Sequence, residues 1–376
     1  MMDSPVVIFD NGSGLCKAGV SGDALPKSVF SSVVGRSHIR MRQNTSLLGI
    51  RQKDFYVGED AQSRRGVLTL TYPIERGVIT SWDDIEKIWT HTYDQELCLQ
   101  ASAHPVLLTE VPLNPIQNRE KMAEIMFESF DVPGMFVASQ GVLTLYSSGT
   151  TTGMFVNSGE GVTHMVPVYE GYIMPHAVAR LDVAGRDITE CLMGFLMENG
   201  YSFVSSAERE IARDIKEHLC FVQPEPMENL MRSTTEVTRA YSLPDGNTVK
   251  LGSQRFRAPE ILFAPANIGM EAPGIHELLH KSVMKCPIDI RRDLYSNIVL
   301  SGGTTLFPGL DERLLKEMER LVPSGVKVNV NLPEKRKYSV WVGASIISSI
   351  SAFRDLLIPK SDYKDVGPNV LHRKYL

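Results

Sequence analysis

The stretch Val6-Val7-Ile8-Phe9-Asp10-Asn11-Gly12-Ser13-Gly14-Leu15-Cys16-Lys17-Ala18-Gly19-Val20 decides the reading of this chain. An apolar strand, Val6 to Phe9, runs into a polar turn with two glycines, and a second strand, Leu15 to Val20, returns from it. Glycine permits φ > 0 and carries no side chain, so such a turn can aim several backbone N–H groups at one anion. Ser13 adds a hydroxyl and Lys17 a compact positive charge. Asp10 ends the strand, where a carboxylate can hold the water shell that Mg²⁺ keeps when a protein binds it.

The pattern recurs. A strand ending in Val156 leads to Asn157-Ser158-Gly159-Glu160-Gly161 and then to Val162 through Pro167. Repetition at so long a spacing predicts two related halves, each offering one glycine hairpin. A third motif, Ser301-Gly302-Gly303-Thr304-Thr305, follows the strand Ile298 to Leu300 and offers bare backbone to a flat ligand such as a nucleoside. Any one of these is usually just a tight turn. Neither a Walker lysine pattern nor G-x-G-x-x-G is present, so the common nucleotide folds are not supported.

Outward from the hairpins, short apolar strands (Val106 to Thr109, Gly153 to Val156, Val162 to Tyr169) alternate with amphipathic helices, an α/β pattern. Ser81 precedes the stripe Trp82, Ile85, Ile88, Trp89. Ser205-Ser206-Ala207-Glu208 is a capping-box pattern before Ile211, Ile215 and Leu219. Pro308-Gly309 opens Leu310, Leu314, Leu315, Met318, Leu321. All three stripes read as core-facing helix sides. Two segments, Gly35 to Lys53 (rich in arginine) and Gln223 to Thr238, read as surface loops.

With 376 residues, two domains are the natural expectation. A net charge of −5 gives no electrostatic case for a dedicated nucleic-acid binder. The five cysteines (Cys16, Cys98, Cys191, Cys220, Cys286) are odd in number and lack a C-x-x-C pair, which favours free thiols in a reducing compartment. No secretory signal or membrane span is read, so a cytoplasmic or nuclear protein is expected.

Taken together, the motifs resemble those of actin and the actin-related proteins along essentially the whole chain. The residues that carry the resemblance are Asp10 to Gly19, Tyr72-Pro73-Ile74-Glu75-Arg76-Gly77, Leu107-Leu108-Thr109-Glu110 and Tyr169-Glu170-Gly171-Tyr172. Arg213-Asp214-Ile215-Lys216-Glu217, Leu300 to Thr305, Lys337-Tyr338-Ser339-Val340-Trp341 and His372-Arg373-Lys374 complete them. The resemblance implies an α/β actin fold: two ribonuclease-H-like lobes with mixed sheets around a nucleotide cleft. The first lobe would span 1–140 plus 339–376, with an outer subdomain at 32–72. The second would span 141–338, with an outer subdomain at 184–270.

The resemblance also implies ATP or ADP with Mg²⁺ (or Ca²⁺). Ser13, Gly14, Leu15 and Lys17 would hold phosphates from one side, and Gly159, Glu160, Gly161 and Val162 from the other. Asp10 would order the metal's water. Arg213, Lys216, Glu217, Gly302, Leu306, Phe307 and Lys337 would surround the adenosine, and the hinge would lie near Gln140 and Lys337. Gln140 and His164 would position the attacking water.

Several positions depart from the family. Asn157 and Glu160 both stand where actins carry aspartate. Asn157 keeps a hydrogen-bond acceptor but has no charge and takes no proton, so the catalytic group there is weakened and slow hydrolysis is expected. The loop from Arg36 to Lys53 is longer and more basic than its actin counterpart. Asn267 replaces an aromatic in the interstrand plug, Leu357 replaces a tryptophan, and the chain ends Tyr375-Leu376. These changes weigh against an ordinary actin filament. Tyr146, Gly149, Thr151, Ile347, Leu356 and the Tyr169-to-Pro175 loop match the groove where actin-binding or cytoskeletal proteins dock, and other actin-related proteins are further partners by that likeness.

The expected function is therefore a cytoskeletal or scaffold actin-related protein that binds Mg-ATP, at most a weak ATPase. It is similar to divergent members of the vertebrate testis and sperm head, with no direct nucleic-acid contact and no membrane span. The alternative is an actin-fold subunit of a nuclear chromatin-remodelling complex. Its actin-like length argues against that, because such subunits usually carry large insertions.

Overall fold

The computed structural model describes residues 4–37, 53–225, 238–243 and 245–373. Most of the arginine-rich loop, most of the 223–238 segment, Lys374 and the Tyr375-Leu376 ending lie outside them. The chain divides into two compact units, one formed by Met1–Ala138 with Ala344–Tyr375 and the other by Ser139–Gly343.

In the first unit the sheet begins at an edge with Ser28–Ser31 and continues through Leu15–Val20, Val7–Asn11, Val106–Glu110, Gly134–Ser139 and Ile358–Pro359. Val7–Asn11 is antiparallel to Leu15–Val20 and parallel to Val106–Glu110. Strands covered on both faces of a sheet read as continuous apolar runs, and Val7, Ile8 and Phe9 are fully buried. The helix Trp82–His91 lays Ile85, Ile88 and Trp89 into the same core, where the Phe9 ring meets Trp89 edge-on. Ser81 is its N-cap residue in extended backbone, as the sequence predicts.

The second unit repeats the order. Tyr172–Ile173, Thr163–Tyr169, Gly153–Ser158, Ile298–Ser301 and Val330–Asn331 succeed one another, with Ala179–Leu181 also paired to Thr163–Tyr169. Again a hairpin leads, and its first strand runs parallel to the next one in. The echo in the sequence is an echo in topology.

Helix ends in this unit follow local chemistry. Ser205 Oγ accepts from the Glu208 N–H at 3.2 Å and the Glu208 carboxylate accepts from the Ser205 N–H at 2.7 Å, a complete capping box. Gly309, in left-handed backbone, opens Leu310–Leu321. That helix differs from its apolar reading in one respect. Leu310, Leu314 and Met318 are buried, but so are Arg313 and Glu317, while Leu321 is exposed. Arg313 donates from Nη2 to Glu260 at 2.8 Å and from Nε to Glu317 at 2.8 Å, with its guanidinium over the Phe263 ring. A buried charge persists only when paired, and here two carboxylates supply the pairing.

All five cysteines are free thiols. Asn267 lies exposed in the turn Pro265–Ile268, so its amide stays hydrated within the chain. Leu357 is buried. Among the described residues no helix is long and apolar enough to cross a membrane.

Candidate functional site

The first hairpin is built around a buried acid. Asp10 stands opposite Lys17 in the ladder, and opposed residues share a face of the sheet. Lys17 Nζ lies 2.6 Å from Asp10 Oδ2, and Thr109 Oγ1, on the adjacent parallel strand, donates to Oδ1 at 2.8 Å. In the turn, the Gly12 N–H donates to the Leu15 carbonyl at 3.0 Å, and a Cβ on Gly12 would come within 2.9 Å of that oxygen. Ser13 Oγ accepts from the Gly77 N–H at 2.9 Å, which fixes the hydroxyl at the rim of the turn. Between these, Cys16 is sealed in. Burial, reinforced by the Asp10 charge, pushes its thiol up to about 12, so it acts as a small apolar side chain and not as a nucleophile. Trp89 Nε1 donates to Asn11 Oδ1 at 3.2 Å and holds that amide inward.

The second hairpin puts Asn157 where the first has Asp10, one residue from the end of its strand. Its partner across the ladder is His164, the counterpart of Lys17. Asn157 Nδ2 donates to Gln140 Oε1 at 3.1 Å. His164 is fully buried, and neither ring nitrogen has a hydrogen-bond partner among the described residues. Burial, aided by the Arg180 charge and opposed by Asp182, holds its pKa down to about 3, so the ring is neutral at pH 7.

The turn that follows is clamped from three directions. The Gly159 carbonyl accepts from the Gly185 N–H at 3.0 Å and from Thr304 Oγ1 at 2.6 Å, and the Glu160 carbonyl accepts from the Arg186 N–H at 2.8 Å. Lys216, buried on the helix Ser206–Leu219, donates to the Gly185 carbonyl at 2.8 Å and sits 3.5 Å from Glu160 Oε2. Gly302 has φ +92, and a Cβ there would meet the Ser158 carbonyl at 2.2 Å and Asn157 Oδ1 at 2.6 Å, so only glycine fits. The Gly302 N–H donates to the Arg336 carbonyl at 3.1 Å, just ahead of Lys337.

Direct contacts therefore join Asn157, Gln140, Gly302, Gly159, Glu160 and Lys216, with His164 opposite Asn157 and with Gly161 and Val162 in the same turn. Arg213 and Glu217 share the Lys216 helix and pair with each other at 3.5 Å, while Arg213 also meets Glu210 at 3.0 Å. Leu306 is exposed, and Lys337 lies beside the Tyr338 ring. Phe307 is buried, and its ring packs with the hydrophobic core of the second unit.

Four supporting residues escaped the sequence reading of the site: Thr109, Gly77, Gly185 and Thr304. Thr304 sits inside the third glycine motif and Thr109 is a lone hydroxyl at a strand end, both weak signals. Gly77 and Gly185 act through contacts distant in sequence, which no local pattern announces.

Taken one at a time, each donor set fits a phosphate, and the first also fits a cation. The first has a glycine where a Cβ would collide, a fixed hydroxyl, a largely buried lysine and a carboxylate at a strand end; the second has Gly302, where only glycine fits, and the buried Lys216. Matching sheets that each begin with such a hairpin define a duplicated α/β protein. A family model described as Actin matches residues 1–376, and the chain belongs to the actin family. Members of that family bind nucleotide and divalent cations.

Proposed function

We propose that this chain is a structural member of the actin family that binds Mg-ATP through its two glycine hairpins and turns it over slowly. The observation that carries the reading is the repeated hairpin, with a glycine-lined turn and a polar strand end in each half and a lysine beside it, half-buried in the first and buried in the second. Ser13 and Lys17 would meet phosphate oxygens on the first hairpin, and the Gly159–Val162 turn would meet them on the second. Asp10 would orient metal-bound water. The bound cation supplies charge neutralisation on the transferring phosphoryl group. Gln140 and His164 would line the path of the attacking water, and neither carries a charge at pH 7.

A cytoskeletal or scaffold role in the cytoplasm accompanies this reading, of the kind found in divergent testis members. The family membership and the altered self-assembly positions support it. The test is direct. Purified protein given Mg-ATP should retain nucleotide and melt at higher temperature, and it should pellet poorly on its own while being assayed alone and mixed with conventional actin. No retained nucleotide and no thermal shift would overturn the binding claim. Efficient pelleting alone would overturn the claim of weak self-assembly.

A further inference from the structure

The amide at position 157 does more than lack a charge. An aspartate there offers only acceptors, whereas asparagine brings an NH₂ group, and that group has a choice of neighbours. One is His164, directly across the ladder, with no hydrogen-bond partner at either ring nitrogen among the described residues. The other is Gln140, at the start of the helix Gln140–Ser147. The contact made is with Gln140: Nδ2 donates to Oε1 at 3.1 Å. Gly302 fixes the other end of the amide, because its Cα packs so close to Asn157 Oδ1 that a Cβ would come to 2.6 Å. Both residues are held by regular structure, and Gln140 is buried, so the pair has little freedom to separate.

We propose that Asn157 is a positioning residue that holds the Gln140 carboxamide oxygen, turning it away from accepting a hydrogen bond from water, and so keeps bound ATP intact. The proposal rests on the nucleotide-binding reading above. In hydrolysis the water oxygen bonds to the γ-phosphorus and the bond from that phosphorus to the β–γ bridging oxygen breaks, with its electron pair leaving on ADP. One water proton must pass to an acceptor, ultimately on phosphate. A carboxamide oxygen facing the water would orient it for that attack. The Asn157 amide takes one of the two lone pairs of that oxygen and draws it toward the strand Gly153–Ser158, leaving a weaker and misdirected acceptor for the water. Slow turnover then comes from an occupied acceptor, and not only from an absent carboxylate.

The two causes separate on Asn157→Ala. If the missing carboxylate alone limits turnover, removing the amide changes nothing or slows the reaction. If the amide sequesters Gln140, removing it accelerates single-turnover conversion of bound ATP to ADP by about 2- to 10-fold, the range one neutral hydrogen bond spans. Asn157→Ser serves as the second variant should the alanine chain fold poorly. The pair is also read without nucleotide, by a double-mutant cycle with Gln140→Ala in chemical denaturation. Non-additive unfolding midpoints are expected. Additive midpoints, or an Asn157→Ala rate at or below the parent's, overturn the proposal. Should no variant retain ATP, the nucleotide reading fails while the cycle still decides whether the pair exists.

Discussion

The two hairpins share a backbone and differ in charge. In the first, a buried strand-end acid faces a partly exposed lysine, and the pair is ionic. In the second, the same two ladder positions hold an amide and a neutral imidazole. The comparison teaches that the glycine turn and the charges beside it are separable. The turn needs bare backbone, which both hairpins keep. Charge is a separate matter, which the proposed reading ties to the handling of a phosphate, and only the first hairpin keeps an ion pair at the strand end.

The sharpest way to break that contrast is to neutralise the first hairpin. Asp10→Asn leaves the Lys17 ammonium without its anion and with at most a neutral amide oxygen to bond, so a loss of about 3–5 kcal/mol is expected in chemical denaturation. A loss below about 1 kcal/mol would show that the ionic pair is not what organises this hairpin. Next comes the backbone of the second. Gly302→Ala adds left-handed strain and a collision with the Ser158 carbonyl, together about 3 kcal/mol, read by the same measurement. Lys216→Met removes the ammonium that ties the Gly185 carbonyl and Glu160 to the turn. A cost of about 2 kcal/mol is expected, and a smaller one would place the clamp in the backbone bonds instead.

The last effect is a slope, spread over pH and small at any one value near neutrality. His164 has a folded pKa of about 3 against an ordinary 6.5, so between those values the unfolded chain binds a proton that the folded chain refuses. Stability from this group is unaffected above pH 6.5 and falls as pH drops toward 3, by up to about 1.4 kcal/mol per pH unit. His164→Phe should flatten the stability profile between pH 7 and 5. Asn157→Asp should narrow the window, because a carboxylate opposite the ring favours its protonation. An unchanged profile in His164→Phe would mean that other groups carry the acid sensitivity.

Much of this was legible in the sequence. Apolar runs placed the central strands to within a residue or two, and Ser81, Ser205 and Pro308-Gly309 marked three helix starts because helix-start signals are local, although only Ser205 caps through its side chain. The hairpin residues were readable for the same reason, since Gly12, Gly159 and their neighbours act on one another across a few positions. What could not be read depends on distant partners. Gly77 reaches Ser13, Gly185 and Thr304 reach Gly159, and Arg313 finds Glu260, all across long stretches of chain. The packing of the Phe307 ring into the core of the second unit is likewise described by no motif.

Arg313 has a consequence for how one helix finds its setting. An apolar stripe alone is forgiving, because leucines and methionines repack after a small turn about the helix axis. The guanidinium is not, since successive residues on a helix are about 100° apart and a single-residue slip would press it into hydrocarbon and strand Glu260, while Glu317, on the same helix, turns with it. The bond to Glu260 thus acts as a rotational stop, favouring one orientation of Leu310–Leu321 against its neighbours where grease alone would allow several.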